Sequence, residues 1–294
     1  MSLRCTEALR PPEAAEVLAL IAEAAAVDGR APVSQETQLE LRQGSRSLRH
    51  VLSYDSGRLA GYGALTTAAG PRAMLAEIAV QPGNRRHGHG EAILGELLRL
   101  AAPQRLSIWA HGTDSAVGRF AEAHGLDRDR TLHQMRKVLD GPPPDHPLPR
   151  PYRLRTFVPG ADDAAFLLAN AATFAELPDQ GGWTPADLQM RFAQDWFDPA
   201  GFFLVLDPDG RIAGFHWTKL HPPEPLGEVY VLGVVPGHRG HGLALALAQR
   251  GLAHLASRGV RTAMLYVDAE NGPALRLYTR LGFSRTDTDT LYRA

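Results

Sequence analysis

The stretch Val235-Pro-Gly-His-Arg-Gly-His-Gly-Leu-Ala244 places three glycines and two histidines between an apolar run, EVYVLGV, and a helix-like run, LALALAQRGLAHLASRG. A near copy, QPGNRRHGHGEA over 81–92, follows another apolar run about 150 residues earlier. A helix N-terminus presents unpaired backbone N–H groups and a partial positive charge. Glycines there let a phosphate approach the backbone closely. The chemistry on offer is therefore pyrophosphate binding. A tight strand-to-helix turn with no ligand uses the same residues, so the turn alone leaves both readings open. The histidines read as turn or surface residues, because no acidic partner sits at metal-ligand spacing. No metal site is expected.

A second group of residues has types suited to acid–base work. Tyr278 offers a phenol on a short helix. It also belongs to an apolar stripe, Ala274, Leu275, Tyr278 and Leu281, that suits a core. Glu228 leads a strand six residues before Val234, as a base, a substrate contact or a solvated strand end. Lys219 closes a strand and is one of only two lysines, with Lys137; it is functional or solvated. Tyr266 alternates with Met264 on a strand and reads as buried. Glu36 is most simply a surface position in the first turn of a helix.

These residues sit on a repeated frame. Shifting the second half by 154 residues lays Val234, Arg239 and Gly242 on Val80, Arg85 and Gly88. An offset of 157 aligns the later helix, so Tyr278 falls on Ala121 and Asn271 on Asp114. This is a tandem duplication. The proline-rich stretch DGPPPDHPLPR over 140–150 reads as a stiff linker, leaving about 140 residues on each side. The expected domains are 1–140 and 151–294, joined by a linker at 141–150. Each half reads as mixed α/β: helix, helix, strand hairpin, strand, helix, strand, helix, strand. The first helix covers 13–26, and Ser34 caps the second. Asp55-Ser-Gly57 and Pro-Asp-Gly210 mark the hairpins. Asp162 and Asp163 start a helix, and Thr184-Pro-Ala-Asp187 is a capping signal.

The totals exclude several functions. The chain has 294 residues, 44% apolar and 21% charged, with formal net charge −1. That balance has no pull toward nucleic acid or anionic membranes, and no basic run interleaved with aromatics is present. The single cysteine, Cys5, rules out an internal disulfide framework. No apolar run has membrane-spanning length, and no signal-peptide core leads the sequence. A cytoplasmic protein is expected, and the fused pair suggests a monomer.

The turn ends Arg239-x-x-Gly242-x-Ala244, with Arg85-x-x-Gly88-x-Gly90 in the first half, and Asn271-x2-Ala274-x3-Tyr278-x3-Gly282-Phe283 follows later. In these features the chain resembles the GCN5-related N-acetyltransferases (GNAT). The resemblance implies two tandem GNAT domains, each a mixed sheet flanked by helices, with acetyl-CoA as acetyl donor. Its contacts would be Leu232, Gly233 and Val234, then Arg239, Gly240, His241, Gly242, Leu243, Ala244 and Leu245. Asn271, Gly272, Pro273, Ala274, Leu275 and Arg276 complete them. A second acetyl-CoA would lie on Ile78, Ala79 and Val80, with Arg86, His87, Gly88, His89, Gly90 and Glu91. In this family a backbone N–H before the turn polarises the thioester and a helix tyrosine protonates the thiolate, which points to Tyr278. Glu228 aligns with Met74. On that alignment the first half lacks both acid and carboxylate, so the second half is expected to be catalytic.

The segments LPDQGGWTPADL, WFDPAGFFLVLD, GFHWTKLHP, LGEVYVLGV and MLYVDAENGPALRLYTRLGF, with the tandem layout, resemble the mycothiol synthases. That implies acetylation of the cysteinyl amine of a cysteine–glucosamine–inositol conjugate. Substrate contacts would be Asp179, Lys219, Glu228 and Tyr266, with a first-half carboxylate, Glu36, or Gln35 on an ungapped alignment. Family members usually carry Glu where this chain has Asp179. The chemistry is compatible. An α-amine with pKa near 8 is about a tenth neutral at pH 7, at a cost of roughly 1.4 kcal/mol, whereas a lysine amine would cost about 4–5 kcal/mol. Two other functions share parts of the pattern. An acetyltransferase of another small amine, such as an aminoglycoside, keeps every CoA residue. A non-catalytic acyl-CoA-binding module would leave Tyr278 and Glu228 dispensable.

Overall fold

The computed structural model describes residues 1–294 except 45–47, 68–72, 113–114, 142 and 145. Two compact units emerge: Met1–Leu132 with Asp287–Ala294, and His133–Thr286. The proline-rich stretch expected to divide the chain lies inside the second unit.

The first unit opens with a strand the sequence reading did not anticipate, β1 (Ser2–Thr6). Then come α1 (Pro11–Asp28), α2 (Gln35–Gln43), β2 (Leu48–Asp55), β3 (Arg58–Thr67), β4 (Ala73–Val80), α3 (His89–Ala101), β5 (Arg105–His111), α4 (Ser115–Ala123) and β6 (Asp127–Val138) up to Leu132. Proline at the first helical position starts α1, and the αL residue Gly29 ends it. The Ser34 hydroxyl accepts from the Thr37 N–H and caps α2 as expected. Strands β1 to β4 pair antiparallel in order, and β4 pairs parallel with β5. Alternation on these strands gives the sheet two apolar faces. Leu52, Tyr62 and Ala79 pack under α1, while Leu65, Ala76 and Ile108 pack under α3.

The second unit repeats this plan. Another strand that was not anticipated, β7 (Arg153–Thr156), leads into α5 (Asp163–Thr173), α6 (Pro178–Gly181), α7 (Pro185–Phe192), β8 (Phe202–Leu206), β9 (Ile212–Leu220), β10 (Leu226–Val234), α8 (Leu243–Ser257), β11 (Thr262–Asp268) and α9 (Gly272–Arg280). The last strand, β12 (Ser284–Arg293), reaches Thr286 here, and its remainder belongs to the first unit. Thr184 and Asp187 form a reciprocal capping box on α7. Strands β7 to β10 pair antiparallel, and β10 pairs parallel with β11. One face carries an aromatic core of Phe166, Phe202, Phe215 and Trp217, each fully buried. Each such side chain stabilises the unit by about 1.5–3 kcal/mol. The other face packs Leu247, Leu252 and Leu255 of α8.

Candidate active site

The parallel pair β10–β11 is joined over Leu226–Glu228 and Thr262–Met264 only. β10 continues to Val234 while held on its other edge by β9. The backbone from Val229 onward thus turns one edge toward an opening between two parallel strands. A bulge at Tyr230, between Val229 and Val231, marks where the strands part. Leu232, Gly233 and Val234 line this free edge. Gly233 is required there: a Cβ would stand 2.7 Å from the Phe215 ring and 2.8 Å from Thr173 Cγ2.

β10 then runs through a 3-10 turn, Pro236–His238, into α8. Gly240 (φ 81) and Gly242 (φ 78) are both left-handed, and Gly242 is the N-cap residue of α8. This aims the first-turn N–H groups of residues 242–245 past the strand end. Arg239 is tied back by Nε–H donating to the Val234 carbonyl (3.3 Å) and Nη2–H donating to the Thr173 carbonyl (3.3 Å). His241 is exposed, and His238 packs against Tyr152, whose hydroxyl lies 3.1 Å from its Nδ1.

The first unit has the same turn built from other residues. Arg86 takes φ 65 where Gly240 stands in the second unit, and Gly88 (φ 84) is the N-cap residue of α3. Arg85 donates from Nε to the Val80 carbonyl (3.4 Å), repeating the Arg239 contact, and adds a bidentate pair with Asp28. His89 departs from the surface reading. It is buried, its Nδ1 2.8 Å from the Ser53 hydroxyl, so its imidazole packs on the sheet and only its backbone faces the turn. Ile78, Ala79 and Val80 pair with β3 but run past the end of the pairing with β5, and Glu91 is exposed in the first turn of α3.

The acid–base candidates of the second unit are buried. Glu228 is the last residue of β10 paired with β11, and it stands directly across from Lys219 on β9. Neither is a solvated strand end: Glu228 is 7% exposed and Lys219 5%. Lys219 Nζ lies 3.9 Å from Glu228 Oε2 and over the rings of Trp196 (4.8 Å) and Tyr230 (5.0 Å). His221, absent from the sequence reading, brings Nε2 within 2.8 Å of Glu228 Oε2. Burial by itself would raise the Glu228 carboxyl. The His221 hydrogen bond and the Lys219 and His221 charges outweigh it and hold the group below the usual carboxylate range. The only signal for His221 was its place two residues after Lys219, with no periodicity to mark it.

Tyr278 is buried on α9 against Phe283, and burial pushes its phenol well above the ordinary value. Its proton is therefore retained at neutral pH. Asn271 caps α9 through Oδ1, accepting from the Ala274 N–H, and residues 272–276 form the first turn. Tyr266 is 39% exposed rather than buried, and its hydroxyl accepts from Gln134 Nε2 (2.9 Å). Glu36 is exposed in the first turn of α2, in the first unit. The Asp179 side chain lies outside the described residues.

Glu77 is the last residue of β4 paired with β5, opposite Trp109. The first unit therefore also carries a buried carboxylate on this strand, but three residues before Val80, where Glu228 stands six before Val234. Glu77 is already engaged, accepting from the Ser34 N–H (2.7 Å) and the Thr37 hydroxyl (2.5 Å), with His111 Nε2 2.7 Å away. The splayed stretch after it is three residues, 78–80, against six, 229–234, in the second unit. Asp114, the counterpart of Asn271, lies outside the described residues. Among the described residues no group of three or more His, Cys, Asp or Glu side chains is placed to hold a metal ion, and no helix is long and apolar enough to cross a membrane.

The "Acetyltransferase (GNAT) family" model matches residues 18–125 and again 168–283. Among curated proteins, the mycothiol acetyltransferase of Streptomyces avermitilis is 49% identical over 99% of this chain and 95% of its own length. That of Thermomonospora curvata is 47% identical over 98% and 96%. Among solved structures, a GCN5-related N-acetyltransferase from Sphaerobacter thermophilus superposes with TM-score 0.77 at 26% identity, covering 99% of this chain and 95% of that one. A tandem GNAT protein from the clavulanic acid biosynthesis pathway has the same TM-score at 20% identity, covering 100% and 98%.

Proposed function

The chain belongs to the acetyltransferase (GNAT) family and, within it, to the mycothiol acetyltransferases, and from that premise we propose that it acetylates the cysteinyl amine of a cysteine–glucosamine–inositol conjugate with acetyl-CoA, the second unit being the catalytic one. The observation that carries the chemistry is the buried Lys219–Glu228 pair at the last position of β10 that pairs with β11, just before residues 229–234, whose edge toward β11 is unpaired.

Acetyl-CoA, when bound, supplies the acetyl group as a thioester. The residues present fit it. The two left-handed glycines and the first turn of α8 suit a pyrophosphate, and the unpaired edge of β10 suits an extended pantetheine arm. Residues 232–234, 239–245 and 271–276 are its proposed contacts. A backbone N–H of Leu232–Val234 would stabilise the negative charge developing on the thioester oxygen. Glu228, kept ionised, takes the amine proton directly or through one water. That requires no strong base, because an α-amine costs only about 1.4 kcal/mol to deprotonate at pH 7. Tyr278 keeps its proton for the departing thiolate sulfur. Lys219 supplies a fixed ammonium beside Glu228, suited to the polar oxygens of a sugar acceptor. The contacts proposed for Glu36, Asp179 and Tyr266, and for a second acetyl-CoA on residues 78–80 and 86–91, rest on the family resemblance.

The test is steady-state release of CoA thiol, corrected for the acceptor's own thiol, with the product verified by mass spectrometry. Cysteinyl-glucosaminyl-inositol is compared with cysteine, glucosamine and an aminoglycoside. The conjugate is expected to be preferred in kcat/KM, and Tyr278→Phe to lower kcat about 10²–10⁴-fold with little change in acceptor KM. Equal turnover of all acceptors would remove the substrate assignment. An unchanged kcat in Tyr278→Phe would remove the acid.

A further inference from the structure

His221 stands just beyond β9, where its N–H donates to the Leu226 carbonyl (3.0 Å) and closes the loop into β10. This fixes the backbone on both sides of the loop, and the imidazole is directed back at Glu228. Its Nε2 is 2.8 Å from Oε2, more than an ångström closer than the Lys219 ammonium at 3.9 Å. His221 is therefore the principal hydrogen-bond donor to that oxygen, while Lys219 acts mainly through charge. The pair is also asymmetric in access. The Glu228 side chain is 9% exposed and the His221 side chain 23%, so the imidazole is the more solvent-exposed member of the pair.

Among the described residues, charged and aromatic groups face this pair from two sides. Lys219 approaches from β9, with the Trp196 and Tyr230 rings around its ammonium. Arg191 of α7 donates from Nε to the Tyr230 hydroxyl (2.9 Å), on the far side of that ring. A buried carboxylate with its best donor removed gains proton affinity, since desolvation then dominates. At low pH it would be neutral and unable to accept a proton.

We propose that His221 is the positioning residue of the proton acceptor: its Nε2–H holds Glu228 Oε2 in place and keeps that carboxylate ionised across the pH range in which the acceptor amine is turned over. This rests on the reading of Glu228 as the base.

The experiment is the pH profile of kcat/KM for the acceptor in the full-length protein, in the wild type, His221→Ala, His221→Gln and Glu228→Gln, with folding checked by circular dichroism. Wild type is expected to fall tenfold per pH unit below the amine pKa. His221→Ala is expected to match that slope near pH 8 and then steepen, losing at least a further tenfold by pH 5.5 as Glu228 protonates. The amide of His221→Gln donates from nearly the same point and is expected to restore the wild-type limb. Should His221→Ala fail to fold, His221→Phe fills the space without a donor and gives the same reading. An acid limb in the donorless variant that superimposes on wild type, or one that Gln does not restore, overturns the proposal. Glu228→Gln separates the two layers. A loss of 100-fold or more at pH 8 keeps the base reading whatever His221 does, whereas unchanged activity removes the base and with it the role of its partner.

Discussion

At the scale of single residues, the two turns compare a glycine with an arginine under one backbone geometry. Gly240 and Arg86 both hold φ in the left-handed region, at 81° and 65°. An L side chain there costs roughly 1–2 kcal/mol, part of which a glycine returns as chain entropy in the unfolded state. Arg86→Gly is therefore expected to leave the protein as stable or stabilise it by up to about 1 kcal/mol, whereas Gly240→Ala destabilises by about 1 kcal/mol and weakens acetyl-CoA binding. Thermal denaturation with and without acetyl-CoA checks both. The motif itself was legible, because each of its residue types answers a local backbone demand. The burial of Lys219 and Glu228 was not. Facing positions on paired strands depend on a register that no short window contains.

At the scale of elements, a chain of charges ties β4, β5, α2 and the end of β12 in the first unit. His111 at the end of β5 lies between Glu77 (2.7 Å) and Asp289 (3.1 Å), and Arg30 pairs with Asp287 and Asp289. Burial alone would lower the imidazole pKa. The hydrogen bonds to Asp289 and Glu77 outweigh it and raise the value from 6.5 to about 9. The folded pKa lies above the unfolded one, so this contribution is complete below about pH 6.5 and lost as pH rises through about 9. Stability of the first unit should fall across that window by up to about 3 kcal/mol, and His111→Gln should flatten the dependence. Urea denaturation at pH 6, 7.5 and 9 measures it. An unchanged slope in the variant would mean that His111 does not carry the proton. Elements with their own start and stop signals were read correctly, among them α2, α7 and both hairpins. The short strands β1 and β7 were missed. Five- and four-residue segments carry almost no periodic signal, and they form because a neighbouring strand edge is present to pair with.

At the scale of the whole molecule, the first unit is not continuous in sequence. Asp289–Arg293 pair antiparallel with Ser107–His111, and Tyr292 packs in the core that also holds Ile93, Leu97 and Ile108. Ending the chain after Thr286 would remove the Asp287 and Asp289 carboxylates that pair with Arg30, and with them one partner of His111, at a cost of several kcal/mol for these half-buried charges. Hydrogen exchange read by mass spectrometry is expected to show lost protection in β5 and α2, with β8 and β9 of the second unit still protected. Full protection of β5 in the truncated chain would refute the role of the tail. The duplication, the α/β class, the turn and the acetyltransferase resemblance were determined by sequence alone, because each follows from residue types at fixed short spacings. Two matters were decided only by tertiary structure. His221 joins Glu228 because a loop closes on itself. The last strand completes the first unit because a sheet edge accepts any strand of suitable register, however distant in the chain.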